Sequence, residues 1–148
     1  MKSSHNKYKN FKNLFYDNGW VKIQSFFTKN QINKINKELD LFVKNFAPKL
    51  KLGEIHYSKN EINTIHVLDK YSKFFKKLLN SKKVKNLASN ILDDDVVPQW
   101  SQFFAKPPKK GLPAPPHQDN YYWCVEKAKT MTMWVALENV NKKNGSLY

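Results

Sequence analysis

Apolar residues recur at helical spacing in the first two thirds of the chain, most clearly after residue 28. There Thr28 and Gln31 have the spacing of a capping box, and Phe27 and Ile32 are placed as a hydrophobic staple. Pro48 limits the helix that this box opens, because proline cannot continue the helical hydrogen-bond ladder. The predicted helix has one apolar face, which is typical of a scaffold helix packed on a sheet. That face carries Ile32, Ile35, Leu39, Phe42, Val43 and Phe46.

Shorter apolar patterns predict three more helices before residue 96. The first ends at Asn18-Gly19, a pair typical of a helix stop. The other two span residues 71–80 and 82–92, and Ser81 is a favourable N-cap between them. The acidic run 93–95 ends this helical part. Because no glycine-bearing loop with a distal glutamate follows it, we predict a solvated turn and not a calcium site.

Alternating apolar and polar residues predict short strands elsewhere in the chain. These strands fall at 20–23, 62–68, 96–105 and 130–137. The polar stretch 49–60 is predicted to be a loop. In the third strand, alternation places Gln102 on the same face as two aromatic residues. The proline-rich stretch 106–116 cannot be helical, and Asn144-Gly145 predicts a turn before a further strand that starts at Ser146.

The formal net charge of +14 raises the question of nucleic-acid binding. The chain has 26 lysines and no arginine, and the lysines are spread along its 148 residues. Arginine is the usual fork for phosphates and base edges, so we predict no nucleic-acid partner. No apolar run approaches the about 20 residues of a membrane span, and no signal peptide is evident. The single Cys124 excludes an internal disulfide framework, and the expected location is the cytoplasm.

The residues with the clearest chemistry are His117 and Asp119. Residues i and i+2 of an extended segment point to the same face, so this imidazole nitrogen and carboxylate oxygen can be directed at one point. Together they make two thirds of the 2-His-1-carboxylate set that holds iron in non-haem oxygenases. A histidine and an acid at this spacing also occur by chance. The alternative is therefore a structural hydrogen-bonded pair.

Several segments, in order along the chain, carry a family resemblance. They are Asn18-Gly-Trp-Val-Lys-Ile23 before the capped helix, Lys106-Pro-Pro, Pro116-His-Gln-Asp-Asn-Tyr-Tyr-Trp123 and Met133-Trp-Val-Ala-Leu-Glu-Asn-Val-Asn-Lys-Lys-Asn-Gly-Ser-Leu147. The series and its spacings resemble the phytanoyl-CoA dioxygenase family of Fe(II)- and 2-oxoglutarate-dependent oxygenases. The resemblance covers nearly the whole chain. It implies an α+β fold, with N-terminal helices packed on a partial double-stranded β-helix of the jelly-roll or cupin type.

The resemblance also implies roles for single residues. His117 and Asp119 match the first two iron ligands. Gln102 and Trp134 match positions beside the 2-oxoglutarate cosubstrate, and His66 lies near a position that sometimes supplies another contact. The residues directly after the metal pair are placed to line the substrate mouth, namely Asn120, Tyr121, Tyr122 and Trp123.

Each of these roles has a structural alternative. Gln102 can be a satisfied polar residue inside a barrel. Trp134 and the aromatic cluster at 121–123 can serve packing alone. His66 can be an ordinary core or surface histidine. The residues themselves do not decide between these interpretations.

The implied activity is hydroxylation of a small organic substrate, with Fe(II) as the metal and 2-oxoglutarate and O₂ as cosubstrates. Relatives that halogenate have a small residue in place of the carboxylate. The presence of Asp119 therefore implies hydroxylation, or a cleavage triggered by hydroxylation. Neither the identity of the substrate nor the oligomeric state follows from the sequence.

One departure from the family pattern concerns the C-terminal part of the site. The family has a second histidine well downstream of the metal pair, and beyond it a basic residue that binds 2-oxoglutarate. Neither occurs before Tyr148. We therefore expect residues 1–148 to form a single incomplete domain without its C-terminal strands, and to be inactive alone. In this domain 1–95 would be mainly helical and 96–148 would hold the first core strands.

Two other function classes remain open from the sequence. One is a basic interaction module without chemistry, which would bind nucleic acid or protein. The other is a degenerate β-helix relative that binds a small molecule. Salt-sensitive nucleic-acid binding and indifference to loss of His117 would favour the first of them over an oxygenase.

Overall fold

The computed structural model describes residues 4–107, 115–117, 119–126 and 129–146, where the protein has the predicted α+β character. Its helices are α1 (Ser4–Asn18), α2 (Lys29–Asn45), α3 (Leu68–Tyr71), α4 (Lys73–Leu79), α5 (Lys82–Leu92) and α6 (Asn120–Trp123), with a 3₁₀ turn at Ala47–Lys49. Its strands are β1 (Ile55–Ser58), β2 (Glu61–Ile65) and β3 (Phe103–Phe104). None of the helices in this described part of the chain combines the length and apolar character that crossing a membrane requires.

Tertiary contacts divide the chain into two compact units, each built from three separate segments. The first unit takes its described residues from Met1–Phe26, Leu78–Gln99 and His117–Met133. The second unit takes its described residues from Phe27–Lys77, Trp100–Pro116 and Trp134–Tyr148. The assignment of residues 1–148 to a single domain stays a prediction.

In the first unit, α1 packs on α5. Ser81 caps α5 as predicted, since its hydroxyl accepts a hydrogen bond from a backbone N–H of the first turn. Asp93 ends the helix in a left-handed conformation, and its carboxylate pairs with Lys12 of α1 at 2.8 Å. The next acid, Asp94, pairs with Lys129 at 2.7 Å. The acidic run is thus an exposed helix end with lysine partners, in agreement with the predicted turn. The buried face of α5 consists of Leu87, Ile91 and Leu92.

The capped helix α2 forms part of the second unit and confirms the clearest sequence prediction. The hydroxyl of Thr28 accepts from the backbone N–H of Gln31 at 3.3 Å. The side-chain oxygen of Gln31 accepts from the backbone N–H of Thr28 at 3.0 Å. Phe42 is 1% exposed, and its ring lies edge-on to that of Phe75 with centroids 6.3 Å apart. Other buried apolar residues of this unit are Ile35, Leu39, Ala47, Ile55, Ile65 and Leu68.

The second unit also contains an antiparallel sheet with the strand order β1-β2-β3. β2 confirms the strand predicted at 62–68 as far as Ile65, whereas Leu68 already begins α3. β1 lies within the stretch 49–60, so the prediction of a loop there is wrong in its second half. The two strands join at Lys59 (φ 49°) and Asn60 (φ 70°), and positive φ at both positions is the mark of a type I′ hairpin. The sequence does not indicate this turn, because its two residues are Lys-Asn, whereas Asn-Gly or Asp-Gly is the usual signal.

The other strand predictions are wrong or only partly right. The described residues 20–23 and 130–137 form no ladder, and within 96–105 only Phe103–Phe104 is a strand. The alternation around Gln102 is nevertheless as predicted, since this residue and those two positions away are exposed while the adjacent ones are partly buried. Alternation determines which side chains can face inward. A strand also needs a neighbour to pair with its backbone groups.

A turn near the C-terminal end confirms the prediction at Asn144-Gly145. The backbone N–H groups of Asn144 and Ser146 both donate to the carbonyl of Asn141 at 3.1 Å. Gly145 has φ 90°, a conformation that glycine adopts without strain. Most of the proline-rich connection 106–116, and the strand predicted to start at Ser146, lie outside the described residues.

Candidate metal centre and cosubstrate residues

His117 and Asp119 come together in the first unit, directly before α6. Nε2 of His117 lies 3.4 Å from Oδ1 of Asp119, and the two side chains are 45% and 39% exposed. The expected extended backbone is wrong at Asp119, which has helical angles (φ −58°, ψ −34°). Its carbonyl accepts from the N–H of Tyr122 at 2.9 Å, which opens the helical turn of α6. The two side chains therefore converge, although by a different backbone route from the one expected.

The carboxylate of Asp119 has a second partner in the same unit. The hydroxyl of Thr132 donates a hydrogen bond of 2.5 Å to Oδ2 of Asp119. A hydrogen bond of this length to a carboxylate is of the strong, charge-assisted kind. The two carboxylate oxygens are thus distinguished, since Oδ2 is bound to Thr132 while Oδ1 faces His117.

The donor set of this pair suits a divalent first-row metal such as Fe(II). Nitrogen and oxygen ligands bound at about 2.1 Å and at right angles lie about 3 Å apart, close to the 3.4 Å between His117 Nε2 and Asp119 Oδ1. Among the described residues, no histidine, cysteine, aspartate or glutamate joins this pair to make a group of three. At this point the described part of the chain therefore offers one imidazole nitrogen and one carboxylate as possible metal donors.

The predicted substrate residues form the short helix α6. The ring of Tyr122 lies edge-on to that of His117 with centroids 6.1 Å apart, and Tyr121 is 81% exposed. Trp123 is partly buried. The amide of Asn120 is engaged with the backbone of Val125, donating at 3.3 Å and accepting at 3.1 Å. Asn120 thus closes the turn after α6, while the two tyrosine rings are open to solvent.

The cosubstrate candidates His66 and Gln102 both lie in the second unit, at the end of the ladder between β2 and β3. The last pair of this ladder is Ile65 with Phe103, and His66 and Gln102 are the residues that adjoin this pair on the two strands. Beyond the ladder, the backbone N–H of Leu68 donates to the carbonyl of Ser101 at 3.2 Å. The fold therefore brings together two segments that are far apart in the sequence.

The imidazole of His66 is held among aromatic rings. Its centroid lies 5.1 Å from that of His56 and 6.3 Å from that of Phe104, both edge-on. Burial, and then the neighbouring charge of His56, lower the pKa of His66 from its ordinary value of 6.5. At neutral pH, His66 is therefore a neutral imidazole that can donate one hydrogen bond and accept another.

The third cosubstrate candidate, Trp134, is 48% exposed and also belongs to the second unit. Its segment is attached to α2 by a hydrogen bond of 3.0 Å from the side-chain amide of Asn36 to the carbonyl of Leu137. The exposed ring is not part of a packed core, which was the alternative for this residue. Its role beside a cosubstrate stays a prediction, as do those of His66 and Gln102.

Comparison with known proteins decides the family. Residues 15–148 match the profile of the family described as "Phytanoyl-CoA dioxygenase (PhyH)". The chain belongs to the phytanoyl-CoA dioxygenase family. The resemblance seen in the sequence is confirmed. At the family level, membership supports a dioxygenase activity, which is one kind of oxidoreductase activity.

Two curated proteins show how much of a phytanoyl-CoA dioxygenase relative the chain spans. Phytanoyl-CoA dioxygenase domain-containing protein 1 of Danio rerio is 34% identical over 99 residues, which cover 65% of this chain and 34% of that protein. Phytanoyl-CoA dioxygenase of Arabidopsis thaliana is 22% identical over 91% of this chain and 60% of that protein. The chain thus spans between about a third and three fifths of the length of these relatives. No solved structure matches it significantly.

Two residues of this family member that contact the predicted site were missed from the sequence. Thr132 lies 13 positions beyond Asp119, in a segment where the pattern indicated only a strand. His56 lies in the stretch 49–60, and the loop predicted there gave no reason to expect its contact with His66. Recognition of the turn at Lys59-Asn60 would have revealed the second contact, whereas no sequence signal indicated the first.

Proposed function

We propose that this member of the phytanoyl-CoA dioxygenase family is an Fe(II)- and 2-oxoglutarate-dependent dioxygenase that hydroxylates a small organic substrate. The observation that carries the proposal is the approach of His117 Nε2 and Asp119 Oδ1 to 3.4 Å. These are the positions that match the first two iron ligands of the family. A nitrogen and a carboxylate oxygen at this separation fit adjacent corners of an iron coordination sphere.

In this proposal, His117 and Asp119 hold the metal through one nitrogen and one oxygen atom. Bound iron together with 2-oxoglutarate would supply the oxidising power that places one atom of O₂ on the substrate and the other in succinate. The negative charge of Asp119 would offset part of the positive charge of the metal. The partial exposure of both side chains leaves access for small molecules from solvent.

The same proposal assigns contacts with 2-oxoglutarate to His66, Gln102 and Trp134. The position of His66 and Gln102 beside the last pair of the β2-β3 ladder supports joint action of these two residues on one carboxylate. The amide of Gln102 and the neutral imidazole of His66 each provide an N–H donor for carboxylate oxygens. Neither contact requires a second buried charge, which would be costly to desolvate.

The proposed architecture is a double-stranded β-helix of the jelly-roll type. The alternation of exposed and partly buried side chains over 100–105 and 132–137 supports it, because each barrel strand has one inward and one outward face. A third iron ligand and a basic residue for 2-oxoglutarate are further parts of the family pattern. This chain spans only part of the length of the curated relatives. The dioxygenase activity is therefore proposed for the whole protein.

For the substrate, the proposal names a class and not a compound. The exposed rings of Tyr121 and Tyr122, next to the metal pair, suit an organic molecule with apolar surface. Asn120 and Trp123 complete the proposed substrate mouth. The relative in Arabidopsis thaliana is named for phytanoyl-CoA, but no described residue of this chain singles out an acyl-CoA. We place the protein in the cytoplasm, with a small molecule as its partner.

Anaerobic calorimetry with the 148-residue chain tests this function. We expect 2-oxoglutarate to bind when Fe(II) is present and not in its absence. We also expect His117→Ala and Asp119→Ala to abolish this binding. Asp95→Ala removes an exposed carboxylate away from the pair and serves as the matched control. Metal-independent binding, unchanged binding in His117→Ala, or the absence of binding would each contradict the proposal.

A further inference from the structure

The hydroxyl of Thr132 is the side-chain group bound to the carboxylate of Asp119 opposite His117. The Thr132 Oγ1 to Asp119 Oδ2 distance is 2.5 Å, and Oδ1 is directed to His117 Nε2 at 3.4 Å. Asp119 itself stands at the first turn of α6 and is partly exposed. Without a partner, the terminal torsion of such a carboxylate is broad and about two-fold. The hydrogen bond from Thr132 removes this freedom.

We propose that Thr132 is a positioning residue for the metal site, a role that rests on the proposed function of His117 and Asp119. Its hydroxyl occupies Oδ2 and so presents the other carboxylate oxygen to the metal. A carboxylate can bind a metal through one oxygen or through both. When Oδ2 is engaged by Thr132, ligation through Oδ1 alone is favoured, which leaves the remaining corners of the coordination sphere for 2-oxoglutarate and O₂.

The hydrogen bond between Thr132 and Asp119 joins residues 13 positions apart in the sequence, so it depends on the fold. Thr132 belongs to the described segment 129–133, which lies in the same unit as α6. Asn120 fixes the turn directly after α6 through its two hydrogen bonds with Val125. The metal pair and its positioning residue are therefore held within one compact unit.

Removal of a group that hydrogen-bonds to a metal-binding side chain changes metal affinity by about 10- to 100-fold. Thr132→Val keeps the β-branched shape and removes the hydroxyl, so we expect Co(II), used in place of oxygen-sensitive Fe(II), to bind roughly 10-fold more weakly. Thr132→Ser restores a hydroxyl and should recover most of the affinity. Thr130→Val makes the same change two positions earlier, at a residue that does not contact Asp119, and should leave the affinity unchanged.

The measurement is a calorimetric Co(II) titration of the full 148-residue chain, with the paramagnetic shifts of the His117 ring protons locating the metal in every variant that keeps this ring. Weaker binding in Thr132→Val alone, with recovery in Thr132→Ser, supports the proposal. Equal affinity of Thr132→Val and the unchanged chain overturns it, as does an equal loss in Thr130→Val or a failure of serine to rescue. If His117→Ala and Asp119→Ala bind Co(II) as well as the unchanged chain, the metal pair itself is wrong, and the role of Thr132 is refuted with it.

Discussion

The ring of His66, the residue directly after β2, meets the ring of His56 on β1 edge-on, with their centroids 5.1 Å apart. The contact brings two imidazole groups together at the end of one hairpin. Burial and the charge of His56 lower the pKa of His66 below 6.5. His66 also adjoins the last pair of the ladder between β2 and β3, as Gln102 does on the other strand. The same contact thus affects both the stability of the sheet and a proposed cosubstrate position.

This relationship predicts that acid destabilises the protein through His66. Because the pKa of His66 is lower in the folded state than in the unfolded state, the unfolded chain takes up the proton first as the pH falls. The contribution of His66 to stability is therefore fully present above pH 6.5 and is lost as the pH falls below that value. Urea unfolding of the wild-type chain and of His66→Gln, measured between pH 8 and pH 5, tests this. The variant should lose less stability over this range, and parallel curves would show that His66 does not contribute.

The capping box of α2 predicts a measurable loss when its hydroxyl is removed. Thr28→Ala leaves the N–H of Gln31 without its side-chain acceptor, and we expect the free energy of unfolding to fall by about 1 kcal/mol. Thr28→Ser retains the acceptor and should be close to the wild-type chain. Urea unfolding of the two variants measures the difference. Equal stability of alanine and serine would mean that the cap does not stabilise α2.

The core of the second unit predicts a larger loss at Phe42. Phe42→Ala removes a ring that is 1% exposed and in contact with Phe75, and it should cost about 3–5 kcal/mol. Leu41→Ala, on the same helix at a residue that is 43% exposed, is the matched control and should change stability much less. Thermal unfolding followed by circular dichroism measures both. Similar losses in the two variants would contradict the burial pattern of α2.

The ligand set predicts that the 148-residue chain alone does not turn over 2-oxoglutarate. Among the described residues the metal pair has no third histidine or carboxylate partner, and two ligands hold iron less firmly than the three of the facial triad. Succinate measured after incubation of the chain with Fe(II), 2-oxoglutarate and O₂ should not exceed the succinate formed in the same mixture without the protein. Formation of succinate that is lost in His117→Ala would refute this prediction.

The sequence was most informative where local chemistry determines the structure. The Thr28 and Gln31 box predicted the start of α2, because both partners lie within one turn. The hairpin at Lys59-Asn60 was missed, because two positive φ values occur there without glycine. Strands at 20–23 and 130–137 were predicted from alternation alone, and alternation does not supply a pairing partner.

The candidate site shows the same division between local and distant information. His117 and Asp119 could be found from their spacing and their neighbours. The route by which they converge could not, because Asp119 adopts helical angles as the first residue of a turn. The bond of Thr132 to Asp119 and the approach of the His66 and Gln102 segments depend on contacts between residues far apart in the sequence. Such contacts follow from the tertiary fold, which the local pattern does not specify.

The most direct test of the central claim is the location of Fe(II) in crystals of the 148-residue chain prepared without oxygen. We expect an anomalous difference peak at the iron absorption edge within bonding distance of His117 Nε2 and Asp119 Oδ1, and its loss in Asp119→Ala. An ordered iron elsewhere, or a direct hydrogen bond between the two side chains with no metal at saturating Fe(II), would contradict the account.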